Sequence, residues 1–382
     1  MNKTMLKGIF LSAAVMLSAT VYSQTKSPFI YESGNTTIKL GGFIRTVALY
    51  DFKGSVQNND FVNSTISIPS NWEYQKRTSY DASASRLGLK ITQNIEKFGP
   101  LDIYFEMDFR GANDVLRLRQ AYVAFSGFTL GQTWSFWYDA ASMPAMIDIQ
   151  GVNSRTFLRT PLLGYTAKIG KDLTFGVSLE IPKAKITTAT GYKSVNQTTP
   201  DIPFFLQYKG KSGHIKAAGI FRTITYGVTS DEELKSASAF GAQLSGSLKV
   251  VKNFTLYSNG IYGKGVARYI NDLGALNLDL VPNQDNGGMQ VIPMWGVSLG
   301  LKADLSQKIY CTSTYSVAGI NSDYNYYSAN EYLKGDYFSA TMFWNVAKNL
   351  SVAGEYLHGK RVNMNHASAE ANRLQMMVMY TF

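Results

Sequence analysis

The stretch Asn372-Arg373-Leu374-Gln375-Met376-Met377-Val378-Met379-Tyr380-Thr381-Phe382 closes the sequence and carries its plainest pattern. Taken two residues at a time, Phe382, Tyr380, Val378, Met376 and Leu374 form one wholly apolar row, while Thr381, Met379, Met377, Gln375 and Arg373 form the other. A period of two means a β-strand whose faces meet different surroundings. A half-buried strand of a soluble sandwich alternates in the same way, so this segment alone leaves sandwich and membrane barrel open.

The amino end favours the barrel. Lys3 and Lys7 precede an apolar run from Gly8 to Ala19, and Val21 and Ser23 occupy the minus-three and minus-one positions of a cleavage site before Gln24. The run is shorter than the roughly 20 residues that span a bilayer, so it reads as a removable export signal rather than an anchor. The residue directly after the cleavage site is Gln24 and not a cysteine, which argues against a lipoprotein. Loss of the two lysines lowers the formal charge from +10 to +8. The expected organisation is a signal peptide over 1–23, a short segment over 24–36 and one transmembrane β-barrel domain over 37–382.

Composition agrees. Tyr (24), Phe (21) and Gly (33) are spread evenly, Pro is only 10, and no linker or charge run divides the chain. Cys311 is the single cysteine, so no intramolecular disulfide holds the fold, and its parity with Ile309 and Val317 places it as a small outward filler. Slightly negative mean hydropathy would suit a soluble exported protein, but the two faces of barrel strands average to the same value.

Period-two stretches recur along the chain. Leu101, Ile103, Phe105, Met107 and Phe109 alternate with Asp102, Tyr104, Glu106, Asp108 and Arg110, and Leu173, Phe175, Val177, Leu179 and Ile181 alternate with small or polar residues. About 16 such stretches can be counted, an even number as single-chain bacterial barrels require. Their connections alternate short and long, as in an up-and-down antiparallel barrel with turns at the periplasm and loops outside. Lys53–Ser83 and Lys264–Gly288 are expected among the polar outer loops. Tyr50, Phe52, Tyr122, Phe125, Trp134, Trp295, Trp344 and Tyr356 are expected to form the aromatic girdles.

Among charged residues, Lys39, Arg45, Arg86, Glu106, Asp108, Arg110, Arg117 and Arg119 fall on the polar parity of the early strands, and Arg155 and Arg159 share a parity after a long loop. These ten are the candidate pore-lining residues. Rings of Arg and Lys favour anions, although such groups can also be structural ion pairs in a general diffusion pore. The loop Trp137–Ser154 is rich in small and apolar residues, which a solvent loop has no use for. It is expected to fold inward as a constriction loop, with Asp139 and Asp148 facing the arginines.

No catalytic motif, metal spacing or phosphate loop accompanies His214, His358 and His366, so an enzyme is not expected, and neither a cofactor nor a metal is called for. No basic cluster coincides with a nucleic-acid module.

The first third of the chain resembles the DcaP-like outer-membrane porins of Gram-negative bacteria, within the trimeric porin superfamily. The resemblance is carried by Gly41-Gly42-Phe43-Ile44-Arg45, Tyr50-Asp51-Phe52, Ser85-Arg86-Leu87-Gly88, Glu106-Met107-Asp108-Phe109, Leu116-Arg117-Leu118-Arg119-Gln120-Ala121-Tyr122 and Leu130-Gly131-Gln132-Thr133-Trp134-Ser135. It implies a homotrimeric 16-stranded porin in the outer membrane, with Arg45, Arg86, Arg117 and Arg119 on the pore wall and small anions such as dicarboxylates as solutes. Gln120 departs from the basic residue expected beside the second arginine. Further expected partners are outer-membrane lipid, lipopolysaccharide and the assembly machinery, which would read the closing aromatic. The alternatives are a barrel enzyme, which needs a nucleophile paired with a histidine, and a structural anchor, which needs a lumen filled by side chains. A plugged transporter would need a separate plug domain that the sequence lacks.

Overall fold

The protein is described by a computed structural model over residues 29–53, 59–70, 72, 75–230, 232–283, 288–321 and 329–382. The expected signal segment lies outside these residues. Sixteen antiparallel strands form the wall. In chain order they are β1 (Thr36–Lys53), β2 in two parts (Arg77–Asp81 and Arg86–Ile95), β3 (Gly99–Asp108), β4 (Arg117–Phe125), β5 (Phe128–Trp134), β6 (Arg159–Ile169), β7 (Leu173–Glu180) and β8 (Ile202–Gly210). There follow β9 (Gly213–Val228), β10 (Glu233–Val251), β11 (Phe254–Lys264), β12 (Pro293–Asp304), β13 (Ile309–Ile320), β14 (Tyr332–Ala347), β15 (Leu350–Asn363) and β16 (Ser368–Thr381). Ile30–Ser33 adds a short strand beside the start of β1.

Closure occurs where β16 meets β1, from Phe43 opposite Thr381 to Lys53 opposite Asn372. Phe382 continues the seam by exchanging backbone hydrogen bonds with Gly42, at 3.0 and 3.2 Å. Every wall strand thus has two hydrogen-bonded neighbours, which removes the exposed edges that an open sheet cannot keep in hydrocarbon.

The predicted rows take the predicted sides. On β16, Leu374, Met376, Val378 and Tyr380 point outward and are exposed, whereas Arg373, Gln375 and Met377 point inward and are buried. Cys311 lies between the buried Tyr310 and Thr312, on the outward side with Ala303 and Met342. Phe52, Trp344 and Tyr356 are exposed on the outer side, as girdle residues should be. Tyr122 and Trp134 are not. Tyr122 packs on the inward Tyr104 at 5.5 Å, and Trp134 stacks on Tyr138 of the inward loop at 4.4 Å.

Among the described residues four connections between strands turn inward; one of them, residues 182–201, places Ile186 against Ile224, Ala239 and Leu280. Residues 59–70 bury Phe61 and Ile66 against Tyr337 and Leu357. The expected constriction segment between β5 and β6 places Trp137 at 0% exposure. Its indole fits against Gly241 of β10, where a Cβ would lie 2.5 Å from the ring, so this site accepts only glycine. The fourth is the segment after β11, which contributes Val266, Ala267, Tyr269, Ile270, Leu273 and Leu278 to a core shared with Ile220, Ile261, Met294 and Ala318 of the wall. Within the described residues of Lys53–Ser83 and Lys264–Gly288, the reading as polar outer loops is therefore corrected. Their apolar side chains gain burial inside the barrel, about 1.5–3 kcal/mol each when complete.

Candidate functional site

The inward rows of β2, β3 and β4 bring most of the charged candidates together. Arg86 stands opposite Asp108 in the β2–β3 register. Glu106 and Asp108 are buried at 3% and 0% exposure. Arg119 donates through Nε to Glu106 Oε1 and through Nη1 to Asp108 Oδ2, both at 2.7 Å. Arg117 grips Asp108 with two bonds of 2.9 and 2.7 Å, and Arg86 reaches Glu106 only at 3.9 Å. Such pairing offsets a desolvation cost of several kcal/mol for each carboxylate.

The other candidates leave positive charge over. Arg45 donates to the Ile147 carbonyl and, at 3.3 Å, to the Met377 sulfur. Arg155 donates to the carbonyls of Ile149 and Gln150 and stacks over Phe157 at 3.7 Å. Arg159 lies over the Trp134 ring at 5.0 Å, within electrostatic reach of Arg119, Arg117 and Arg86. Among the described residues, none of Arg45, Arg155 and Arg159 forms an ion pair with a carboxylate. Arg110 is tied to Asp60 of the inward segment 59–70. Lys39 sits apart, exposed and opposite Lys90 near the rim of the short turns.

A β-bulge builds this cluster. Leu118 registers with Met107 and Gln120 with Glu106, so Arg119 is an extra residue on β4. Two residues opposing one are the mark of a bulge, and alternation restarts after it. Arg119 and Gln120 are consequently both buried inside, at 3% and 6% exposure. Gln120 donates to Glu106 at 3.4 Å and accepts from Thr133 at 2.7 Å. The same restart turns Tyr122 inward. No period-two reading can locate such a step.

The constriction segment is fastened at two points. Asp139 accepts from Ala141 N at 3.1 Å, Ser245 Oγ at 2.6 Å and the His214 ring at 2.9 Å, which ties its start to β9 and β10. Lys216 reinforces that end by donating to the Phe136 and Tyr138 carbonyls at 2.9 and 2.6 Å. At the tip, Glu355 of β15 accepts from Ile147 N at 2.8 Å and Asp148 N at 2.7 Å. Asp148 accepts from Gln150 N, Gly151 N and Tyr337 Oη at 3.0 to 3.2 Å. Its carboxyl is pushed up to about 7, first by burial and then by the neighbouring Glu355. The expectation that Asp139 and Asp148 face the arginines is corrected for Asp139, which is held by His214 and Ser245; Asp148 anchors the tip of the segment while lying within electrostatic reach of Arg45 and Arg155.

The contact set Ser247, His214 and Asp139 superficially matches a nucleophile, base and orienting acid, with Ser247 Oγ 2.9 Å from the ring. Asp139, however, holds the segment start, and the ring bridges two strands to it. His358 contacts Asn372 at 2.9 Å. Among the described residues, no cluster suited to a metal occurs.

A second buried network was missed by sequence reading. Arg222 of β9 pairs with Asp201 at 3.1 Å and Asp279 at 2.9 Å, Arg268 pairs with Asp201 at 3.0 Å, and Tyr269 Oη lies between Asp201 and Glu180, 2.8 and 3.0 Å from their oxygens. It locks the segment after β11 against β7, β8 and β9. The available signal was the run Val266-Ala267-Arg268-Tyr269-Ile270, as apolar for a loop as Trp137–Ser154.

Comparison with known proteins bears on this geometry. The family described as the porin subfamily matches residues 18–378. No curated protein matches the chain. Among solved structures, the outer membrane channel DcaP of Acinetobacter baumannii superposes with a TM-score of 0.80 at 21% identity, covering 93% of this chain and 100% of that one. An anion-selective porin from Comamonas acidovorans gives 0.60 at 13% identity, covering 91% and 100%. The trimer form of OmpT, an outer membrane protein of Vibrio cholerae, gives 0.55 at 10% identity, covering 91% and 100%. At these identities the likeness is one of fold.

Proposed function

The chain belongs to the porin subfamily and is an outer-membrane β-barrel, and on that premise we propose that its solutes diffuse along the arginine-bearing wall of β2 to β5, with small anions such as dicarboxylates favoured. The observation that carries this is the excess of guanidinium over carboxylate on the partly exposed side of the lumen. Glu106 and Asp108 are satisfied by Arg117 and Arg119, Arg45 is buried and faces Asp81, Glu355 and Asp148, and Arg155 and Arg159 have no carboxylate within ion-pair distance among the described residues. Arg86 Nε, Arg155 Nε and Arg159 Nη1 are buried without an acceptor among the described residues, so no local hydrogen bond offsets the charge at these guanidinium nitrogens. Burial pushes the Asp148 carboxyl up to about 7, so it opposes this field less than a solvated aspartate does.

An open path is supported by exposure. The Arg117 side chain is 37% exposed, and Arg86, Tyr104, Tyr122 and Arg159 are half-buried rather than buried. A structural anchor would need this side packed as tightly as β9 to β13. Passive diffusion needs no nucleophile, which agrees with the anchoring role of His214. The constriction segment sets the size limit. Assembly as a homotrimer through the outward apolar rows follows from the same reading, and chemical cross-linking in native membranes tests it.

The zero-current potential of single channels in a KCl gradient tests the selectivity. The reading requires steps of conductance and a potential on the anion side. Cation preference removes the anion claim, and absence of steps from folded protein removes the channel.

A further inference from the structure

Beside the β4 bulge two backbone carbonyls have no partner in the β5 ladder. Pairing of β4 with β5 ends at Ala121 opposite Gln132, so no β5 N–H is registered against Leu118 or Arg119. The Gln132 side chain takes their place, with Nε2 donating to Leu118 O at 3.1 Å and to Arg119 O at 3.2 Å. Gln132 shares the outward row of β5 with Phe128 and Leu130, which are 53% and 62% exposed, while Trp134 at the end of that row turns in to Tyr138. An amide among lipid-facing residues is unfavourable unless its protons are used, and here both are. Gly131 allows the approach: its φ is +130°, and a Cβ there would lie 2.2 Å from the Ala121 carbonyl.

We propose that Gln132 is a positioning residue that acts from the outer side of the wall, holding the bulge that turns Arg119 and Gln120 together into the lumen. Counting alternation back from Gln120 without a bulge would put Leu118 inside and Arg119 outside. Glu106 would then lose its 2.7 Å partner, Asp108 would lose Arg119 and, because Arg117 shares that parity, Arg117 as well, and the field along the wall would move toward negative. A residue that no solute touches thereby sets the charge that solutes meet. Only this electrical consequence rests on the anion reading; the geometric claim does not.

Gln132→Met tests it, since methionine keeps the length, suits the apolar row and donates nothing. The first readout is geometric. In a Cys311→Ser background, Leu118→Cys faces outward and is expected to resist a charged, water-soluble methanethiosulfonate, and adding Gln132→Met is expected to make it reactive in folded barrels. Persistent resistance in the double-substituted wall overturns the proposal. The second readout is the anion-to-cation permeability ratio, expected to fall severalfold in Gln132→Met as in Arg119→Gln. A ratio lowered by Arg119→Gln but unchanged in Gln132→Met overturns the role of Gln132 alone. A ratio unchanged by both overturns the anion reading, and the thiol readout then decides Gln132. Heat-modifiable migration of each variant on gels confirms that the barrel has closed.

Discussion

The wall of β2 to β5 and the wall of β9 to β13 use the same period-two strand for opposite ends. On the first, inward residues are Arg86, Tyr104, Glu106, Asp108 and Arg117, and solvent reaches several of them. On the second, Ile220, Ile261, Met294 and Ala318 face inward at 5% exposure or less and are covered by the segment after β11. Outward rows are apolar on both. The lumen is thus a packed core on one side and a charged surface on the other, and the difference shows that a porin's pore need not fill its barrel. Charge can select only where water enters, so the position of the packed side decides which arginines matter.

The largest effect is expected from removing the packing itself. Replacing Ala267–Leu280 with a short Gly-Ser linker opens the β9–β13 side, and single-channel conductance should rise by about twofold or more as the limiting cross-section widens. Unchanged conductance would mean that the segment does not restrict the path, and the contrast between the two walls would lose its functional meaning. Next, Tyr269→Ala removes a buried ring and the hydroxyl shared by Asp201 and Glu180. Equilibrium unfolding in denaturant should show a loss of about 3–5 kcal/mol, as for large core truncations. Arg159→Ala, on the solvent side, should leave that stability nearly unchanged while lowering anion preference.

A sharper effect on selectivity comes from Arg117→Ala combined with Arg119→Ala. The change uncovers Glu106 and Asp108, and the zero-current potential should swing to the cation side. The smallest effect belongs to Glu355→Gln, which weakens the bonds to Ile147 N and Asp148 N by about 1–3 kcal/mol. Current noise should increase as the tip loosens, with little change in selectivity; quiet traces would mean that Tyr337 and Arg45 hold the tip unaided.

How far these walls are legible in sequence depends on the range of the interaction. Alternation is local, so strands, lipid-facing rows and closure through β16 can be read from Phe382, Tyr380 and their neighbours. The inward course of Trp137–Ser154 is legible from its apolar content, and the same criterion applied to Val266–Ile270 would have revealed the second inward segment. The trajectory of a segment inside the lumen is not local. Asp139 meets His214 and Ser245, and Asp148 meets Tyr337, across distances in sequence that no spacing rule covers. The bulge at Arg119 is hidden for a different reason: one extra residue resets parity without changing composition. It misplaced Tyr122 in the girdle, and it hid that Gln120 follows the extra Arg119 and faces inward beside it.

The claim that solutes pass along β2 to β5 and not through β9 to β13 is tested most directly by placing single cysteines on each wall in a Cys311→Ser background. Tyr104→Cys and Ile220→Cys would be exposed to a charged methanethiosulfonate while current is recorded. The current should fall stepwise for Tyr104→Cys and stay constant for Ile220→Cys. Block at Ile220→Cys with none at Tyr104→Cys would contradict the account.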